Sequence, residues 1–206
     1  MTAIIDYGVG NLFSLKSSFS AIGEEAVVSR SASELRTADR LVLPGVGAFA
    51  DARKALAESG VEHCVMDLVS AGKPLLGICL GMQMLFDWDY EDGFHQGLGL
   101  IPGEVKPISE DLKAAGHGDL KIPQIGWNAL QFRNSSRLFR YIHENDYVYF
   151  VHSYHATGCE TFTTAVTEYG AMLTASVERA NVYGTQFHPE KSGDVGLAIL
   201  KAFTEV

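Results

Sequence analysis

Apolar and polar residues along the first half of the chain follow two periods in turn. Residues 2–5 form a short apolar run that predicts a buried strand. After a turn over 6–11, Leu12, Leu15, Phe19 and Ile22 recur at the spacing of one helix face, and Gly23 stops the helix. Strands are expected at 25–28 and 40–43, the latter closing on Pro44-Gly45-Val46-Gly47. Two helices are expected at 49–59 and 61–71, split by Gly60. A further apolar run at 74–78 reads as a buried strand, and Met82, Leu85 and Phe86 then return to helical spacing. Strand and helix alternate throughout, which predicts a parallel sheet covered by helices on both faces.

The second half changes character. Residues 88–97 are acidic, aromatic and irregular, 99–107 suggest a short strand, and the polar stretch 108–120 reads as an exposed loop. Strands are expected at 126–132 and 146–151, with a short amphipathic segment at 137–142 between them. Residues 162–168 and 173–177 lie close enough in sequence to pair as a hairpin. A strand at 182–187 runs into His188-Pro189-Glu190, and 194–203 form a last helix. With no repeat, linker or low-complexity tract, residues 1–206 read as one domain with a mixed sheet in its C-terminal half.

Composition narrows the chemistry. A net charge of -9 with no basic run argues against nucleic acid or an anionic membrane surface as partner. The three cysteines, Cys64, Cys79 and Cys159, are widely spaced, which argues against a disulfide framework and for a reducing, cytoplasmic setting. No basic region precedes a long apolar stretch near Met1, so no signal peptide is expected, and no apolar run is long enough to span a membrane.

The position of Cys79 is the sharpest chemical signal. It stands where a strand turns into a helix, in the frame Gly77-Ile78-Cys79-Leu80-Gly81. This is the thiol counterpart of the Gly-x-Ser-x-Gly elbow, whose glycines leave room for a tight turn. A helix N-terminus there favours negative charge, hence thiolate, and the Leu80 N–H is free to hold an oxyanion. Spacing alone also allows Cys79 to be a packed structural thiol. A nucleophile needs a base and the base an orienter; His188 ends a strand with Glu190 two residues on, held by Pro189. Sites in open α/β sheets gather at the carboxyl ends of strands, so Cys79 and His188 can meet.

Other patterns carry less. The turn Asp6-Tyr7-Gly8-Val9-Gly10-Asn11 lacks the third glycine of a dinucleotide fingerprint, Phe13 standing in its place, so no nicotinamide or flavin cofactor is expected. His152 and His155, and the neighbours His63 and Cys64, form no metal-ligand pattern and read as structural.

Taken together, Gly77 to Gln83 and His188-Pro189-Glu190 resemble the class I (triad) glutamine amidotransferases. Further segments are similar to the glutaminase subunits of imidazole glycerol phosphate synthase: Ile5 to Asn11, Leu43 to Phe49, Ile125 to Asn128, Phe150 to Tyr154 and Gly184 to Ser192. One departure is Gln124 after Pro123, where that family more often carries His, a difference expected to alter only the nearby surface.

The resemblance implies an α/β, flavodoxin-like three-layer sandwich with a mostly parallel central sheet and an antiparallel C-terminal part. It implies a catalytic triad of Cys79, His188 and Glu190 that hydrolyses glutamine. The oxyanion hole would be the Leu80 N–H with the Gly45–Val46 peptide, which would turn inward for catalysis. Gly47, Gln83, Ser153 and Tyr154 would help bind glutamine. The implied partner is a (β/α)₈-barrel cyclase that takes up the ammonia in histidine biosynthesis, with Asn11, Trp127 and Lys191 near the junction. No cofactor or metal is implied. A free-standing γ-glutamyl hydrolase and a non-enzymatic docking module are the competing expectations.

Overall fold

The computed structural model describes residues 1–206. In chain order the elements are β1 (Thr2–Ile5), α1 (Leu12–Ala21), β2 (Ala26–Ser29), α2 (Ala32–Thr37), β3 (Arg40–Leu43), α3 (Phe49–Glu58), α4 (Glu62–Ser70), β4 (Leu75–Ile78) and α5 (Leu80–Gln83). They continue with β5 (Trp88–Asp89), β6 (His95–Gln96), β7 (Glu104–Pro107), α6 (Ile108–Ala114), β8 (Gln124–Ala129), β9 (Gln131–Phe132) and a 3₁₀ turn Arg137–Phe139. The chain ends with β10 (Tyr147–His152), β11 (Tyr154–Thr157), β12 (Thr163–Glu168), β13 (Met172–Arg179), β14 (Val182–Thr185), a 3₁₀ turn Pro189–Lys191 and α7 (Gly193–Phe203).

Eight strands make the central sheet in the order β2-β1-β3-β4-β14-β13-β12-β9. The first five run parallel, and β13, β12 and β9 join antiparallel, the mixed arrangement the second half of the sequence predicts. Side-chain alternation sorts the core into two layers. On one face Ala3, Ile5, Leu41, Leu43 and Leu75 pack with Leu35 of α2, Phe49 and Leu56 of α3, and Val65 of α4. On the other, Ile4, Val42, Leu76 and Ile78 pack with Leu15 and Phe19 of α1 and with Ile199, Leu200 and Phe203 of α7. Helices thus cover both faces, as the alternation of elements requires. A β8–β10 ribbon and a small β11-β7-β5-β6 sheet stand apart from the central one. No helix is long and apolar enough to cross a membrane.

Several elements differ from expectation. The loop expected at 108–120 begins with helix α6, whose Ile108 and Leu112, four apart, are fully buried against Leu173. Polar residues hide this helix because only one narrow stripe of it is covered. Helix α2 was not predicted; its single buried residue, Leu35, gives no period to read. Strand β11 was not predicted either, and 97–103 is irregular, with the strand beginning at Glu104. The stretch 88–97 pairs β5 with β6, Trp88 stacking on Phe94 at 4.5 Å. After Cys79 the helix is a single turn, Leu80–Gln83, followed by turns rather than further helix.

Candidate active site

The elbow is built by contacts that only glycine permits. Cys79 has φ 53° and ψ -111°, a backbone conformation L-residues rarely adopt. Its N–H donates to Thr185 O of β14 at 2.7 Å, so the turn hangs on the neighbouring strand. A Cβ on Gly81 would lie 1.9 Å from Leu43 O, and one on Gly77 would lie 2.6 Å from Gly81 O. Strand β3 therefore presses directly on the turn. Because α5 is one turn long, the polarity at Cys79 comes from the local N–H groups of Leu80 and its neighbours more than from a long helix dipole.

Next to β4 in the sheet lies β14, with Thr185 opposite Ile78. Cys79 follows Ile78 and His188 lies three residues past Thr185, so the pairing brings thiol and imidazole together. His188 Nδ1 bonds Glu190 Oε1 at 2.8 Å, and both side chains are 2% exposed. The backbone is anchored as well: His188 N–H donates to Tyr149 O at 3.0 Å, and Ser192 Oγ donates to His188 O at 2.7 Å. Burial pulls the imidazole pKa down, but hydrogen bonding and charge from Cys79 and Glu190 outweigh it and raise it to about 9. At neutral pH the ring is thus an imidazolium beside Cys79, the charge arrangement that favours an attacking thiolate.

A cavity of about 270 Å³ opens at this point. That is below the usual range for drug-sized ligands and suits a small metabolite. Cys79, Leu80 and His188 line it, together with Val46, Gly47, Gln83, Ser153, Tyr154 and Lys191. Gly45 sits behind this wall: a Cβ there would lie 2.6 Å from Gly81 N and 2.8 Å from Leu80 Cβ. Gly45 thus rests directly against the Leu80–Gly81 backbone of the elbow. Gln83 commits both amide hydrogens inward, to Tyr154 O at 3.0 Å and Gln186 Oε1 at 3.2 Å, which leaves its carbonyl oxygen as the atom without a protein partner.

Of the three residues expected at a partner junction, Trp127 is 51% exposed and meets Tyr149 edge-on, and Lys191 Nζ lies over the same Tyr149 ring at 6.0 Å. Asn11 has a local function too: its Oδ1 caps α1 by accepting from Ser14 N–H. Gln124, expected to affect only surface, is fully buried and donates to Asn128 Oδ1 at 2.9 Å.

Four pocket residues escaped the sequence reading: Glu91, Pro123, Val151 and His152. Glu91 lines the cavity, and its carboxylate accepts from the Phe49 N–H at the start of α3. Its own N–H donates to Asp89 Oδ1 at 2.7 Å. Asp89 is fully buried; burial pushes its carboxyl up to about 6 despite that hydrogen bond. Pro123 lies in the pocket wall. His152, read as merely structural, uses Nδ1 on Tyr154 O at 2.8 Å, but its buried Nε2 has no partner, and burial holds its pKa near 4, so it is neutral. His155 does fit the structural reading, bonded to Asp111 at 2.6 Å and to the Thr174 N–H. The stretch 88–97 was visibly acidic, but without tertiary structure nothing selected Glu91 from Asp89 and Asp92.

The model of the glutamine amidotransferase class-I family matches residues 3–205. The imidazole glycerol phosphate synthase subunit HisH of Wolinella succinogenes is 45% identical over 207 residues, covering 100% of both chains. The protein of the same name from Lactococcus lactis is 47% identical, covering 98% of this chain and 96% of its own. That of Bacillus subtilis is 45% identical, covering 100% and 96%. Among solved structures, PurLQS from Thermotoga maritima superposes with a TM-score of 0.77 at 17% identity, covering 99% of this chain and 97% of that one. A structure described as glutamine amidotransferase gives 0.72 at 20% identity, covering 98% of each chain.

Proposed function

The chain belongs to the class-I glutamine amidotransferase family, and from that premise we propose that it hydrolyses glutamine on Cys79 and hands the ammonia to a cyclase partner. The observation that carries the proposal is the buried line Glu190–His188–Cys79 opening on a small cavity.

The Cys79 thiolate attacks the side-chain amide carbon of glutamine. The carbonyl oxygen becomes an oxyanion, held by the Leu80 N–H and by the Gly45–Val46 peptide once its N–H faces the site. His188 gives its proton to the leaving nitrogen, the C–N bond breaks, and ammonia departs from a γ-glutamyl thioester. A water then attacks the thioester, His188 takes its proton, and glutamate leaves with Cys79 restored. Glu190 keeps the imidazole oriented and its charge balanced throughout. At the other end of the substrate, Glu91 is the anionic group placed to hold the α-ammonium. The free Gln83 oxygen can accept from the substrate, with Gly47, Ser153 and Tyr154 forming the wall.

Ammonia released into water would be protonated and lost, so the mouth needs a cover. We assign that role to a (β/α)₈-barrel cyclase, with which this chain makes imidazole glycerol phosphate and aminoimidazole carboxamide ribotide in histidine biosynthesis. The names of the relatives, each a subunit of imidazole glycerol phosphate synthase, support this. So do the exposed apolar side chains near the mouth: Val46, Ile125 and Trp127, with Lys191 beside them. Residues 1–206 act as one domain, and the free, buried cysteines fit a cytoplasmic setting.

Glutamate release tests the reading, measured on the chain alone and with the cyclase and its nucleotide substrate. Stimulation that vanishes in Cys79→Ala is expected. High activity of the chain alone would favour a free-standing hydrolase, and an active Cys79→Ala would overturn the assignment.

A further inference from the structure

Tyr7 has no part in the chemistry above, yet it stands at its edge. It lies in the turn after β1. Because β1, β3 and β4 are parallel neighbours, their carboxyl ends bring Tyr7, Pro44 and Cys79 side by side. The ring is 4% exposed and packs in the same core as Phe49 and Leu80. Its hydroxyl donates to Pro44 O at 2.7 Å, a buried bond across 37 residues of chain. Burial, and then the nearby Cys79 charge, hold the phenol pKa well above its usual value, so the group stays a proton donor at any working pH.

The Pro44 carbonyl is in the same rigid peptide plane as the Gly45 N–H. Holding that oxygen therefore fixes the plane that precedes the Gly45–Val46 peptide. Other contacts hold the same end. A Cβ on Gly10, in the turn of Tyr7, would lie 2.9 Å from Pro44 Cβ, and Gly45 is seated on the Leu80–Gly81 backbone. The far end is different: Gly47, at φ +93°, has open space around it, and Val46 is exposed. The segment is pinned before Gly45 and free after Val46, so the peptide between them can turn about a fixed origin.

We propose that Tyr7 is a positioning residue for glutamine hydrolysis: by tying down the Pro44 carbonyl it fixes the hinge from which the Gly45–Val46 N–H reaches the oxyanion. This rests on the assignment of that peptide as the second oxyanion donor. A group that acts only on the oxyanion strengthens the transition state without strengthening substrate binding.

The test is Tyr7→Phe in the full chain, assayed with the barrel cyclase and its nucleotide. Phe keeps the ring and removes the bond. We expect kcat for glutamine hydrolysis to fall about 10- to 100-fold, the scale of a displaced oxyanion donor. Glutamine affinity, measured with Cys79→Ala and with Cys79→Ala carrying Tyr7→Phe, should agree within about twofold. Alkylation of Cys79 by iodoacetamide, which forms no oxyanion, should keep its rate. Tyr7→Met keeps apolar bulk in the core without the donor and should give the same pattern, which keeps the test available if Tyr7→Phe folds poorly. An unchanged kcat in the folded variants, or a fall matched by slower alkylation or weaker glutamine binding, overturns the proposal. An active Cys79→Ala would instead overturn the glutaminase reading beneath it.

Discussion

At the scale of single residues, the site depends on one proton. His188 holds it because Glu190 and Cys79 supply more negative potential than burial removes. Its folded pKa, about 9, lies above the unfolded value near 6.5. The stability this contributes is therefore complete below about pH 6.5 and is lost as pH rises through about 9. Glu190→Gln removes one source of the shift. Its melting temperature should fall less steeply than wild type between neutral pH and pH 10, and kcat should drop on the order of 10²- to 10⁴-fold, as when a triad loses its orienting carboxylate. Glu91→Gln should act on the other end of the substrate. Losing a charge-assisted bond costs about 1.5–3 kcal/mol, so KM for glutamine should rise roughly 10- to 100-fold with kcat less affected, as steady-state kinetics would show. Cys79, His188 and Glu190 were legible in the sequence because a glycine-framed turn and a His-Pro-Glu run are local patterns. Glu91 was not: a lone acid in an irregular stretch has neither period nor frame, and only the fold turns it into the cavity.

At the scale of elements, glycine decides how closely strand β3 and the elbow approach. Gly81→Ala would drive a methyl into Leu43 O at 1.9 Å, with no flexible side chain to yield. We expect a loss of about 3 kcal/mol or more, read as a lower urea midpoint, because backbone on both sides must shift. Strongly patterned elements were readable for the converse reason. Strands β1 and β3 and helices α3 and α7 bury a clear face or stripe, and in α1 the partly buried Leu12 and the following Ile22 extend the stripe of Leu15 and Phe19. Helices α2 and α6 bury one and two residues, too few to set a period, so their helical state follows from what they pack against. Helix α5 erred in the other direction. Met82 and Leu85 are buried at helical spacing, yet the chain leaves the helix after Gln83.

At the scale of the whole molecule, the parallel order β1-β3-β4-β14 collects the turn of Tyr7, the Pro44–Gly47 segment, Cys79 and His188 at one rim of the sheet. The same rim presents Trp127, Tyr149 and Lys191 as a contiguous aromatic and cationic surface. Trp127→Ala should weaken association with the cyclase about tenfold or more in a titration, as for a central aromatic anchor, while iodoacetamide alkylation of Cys79 in the free chain stays unchanged. Sequence by itself determined the α/β alternation, the mixed sheet of the second half, and Cys79, His188 and Glu190 as the candidate nucleophile, base and orienter. These rest on short-range patterns of polarity and turn chemistry, which are written in consecutive residues. Tertiary structure alone decided strand order, the seat of Gly45 on the elbow, the surroundings that raise the His188 pKa and the entry of Glu91 into the pocket. Each of these depends on distance and burial between segments far apart in the chain, and no local pattern encodes either.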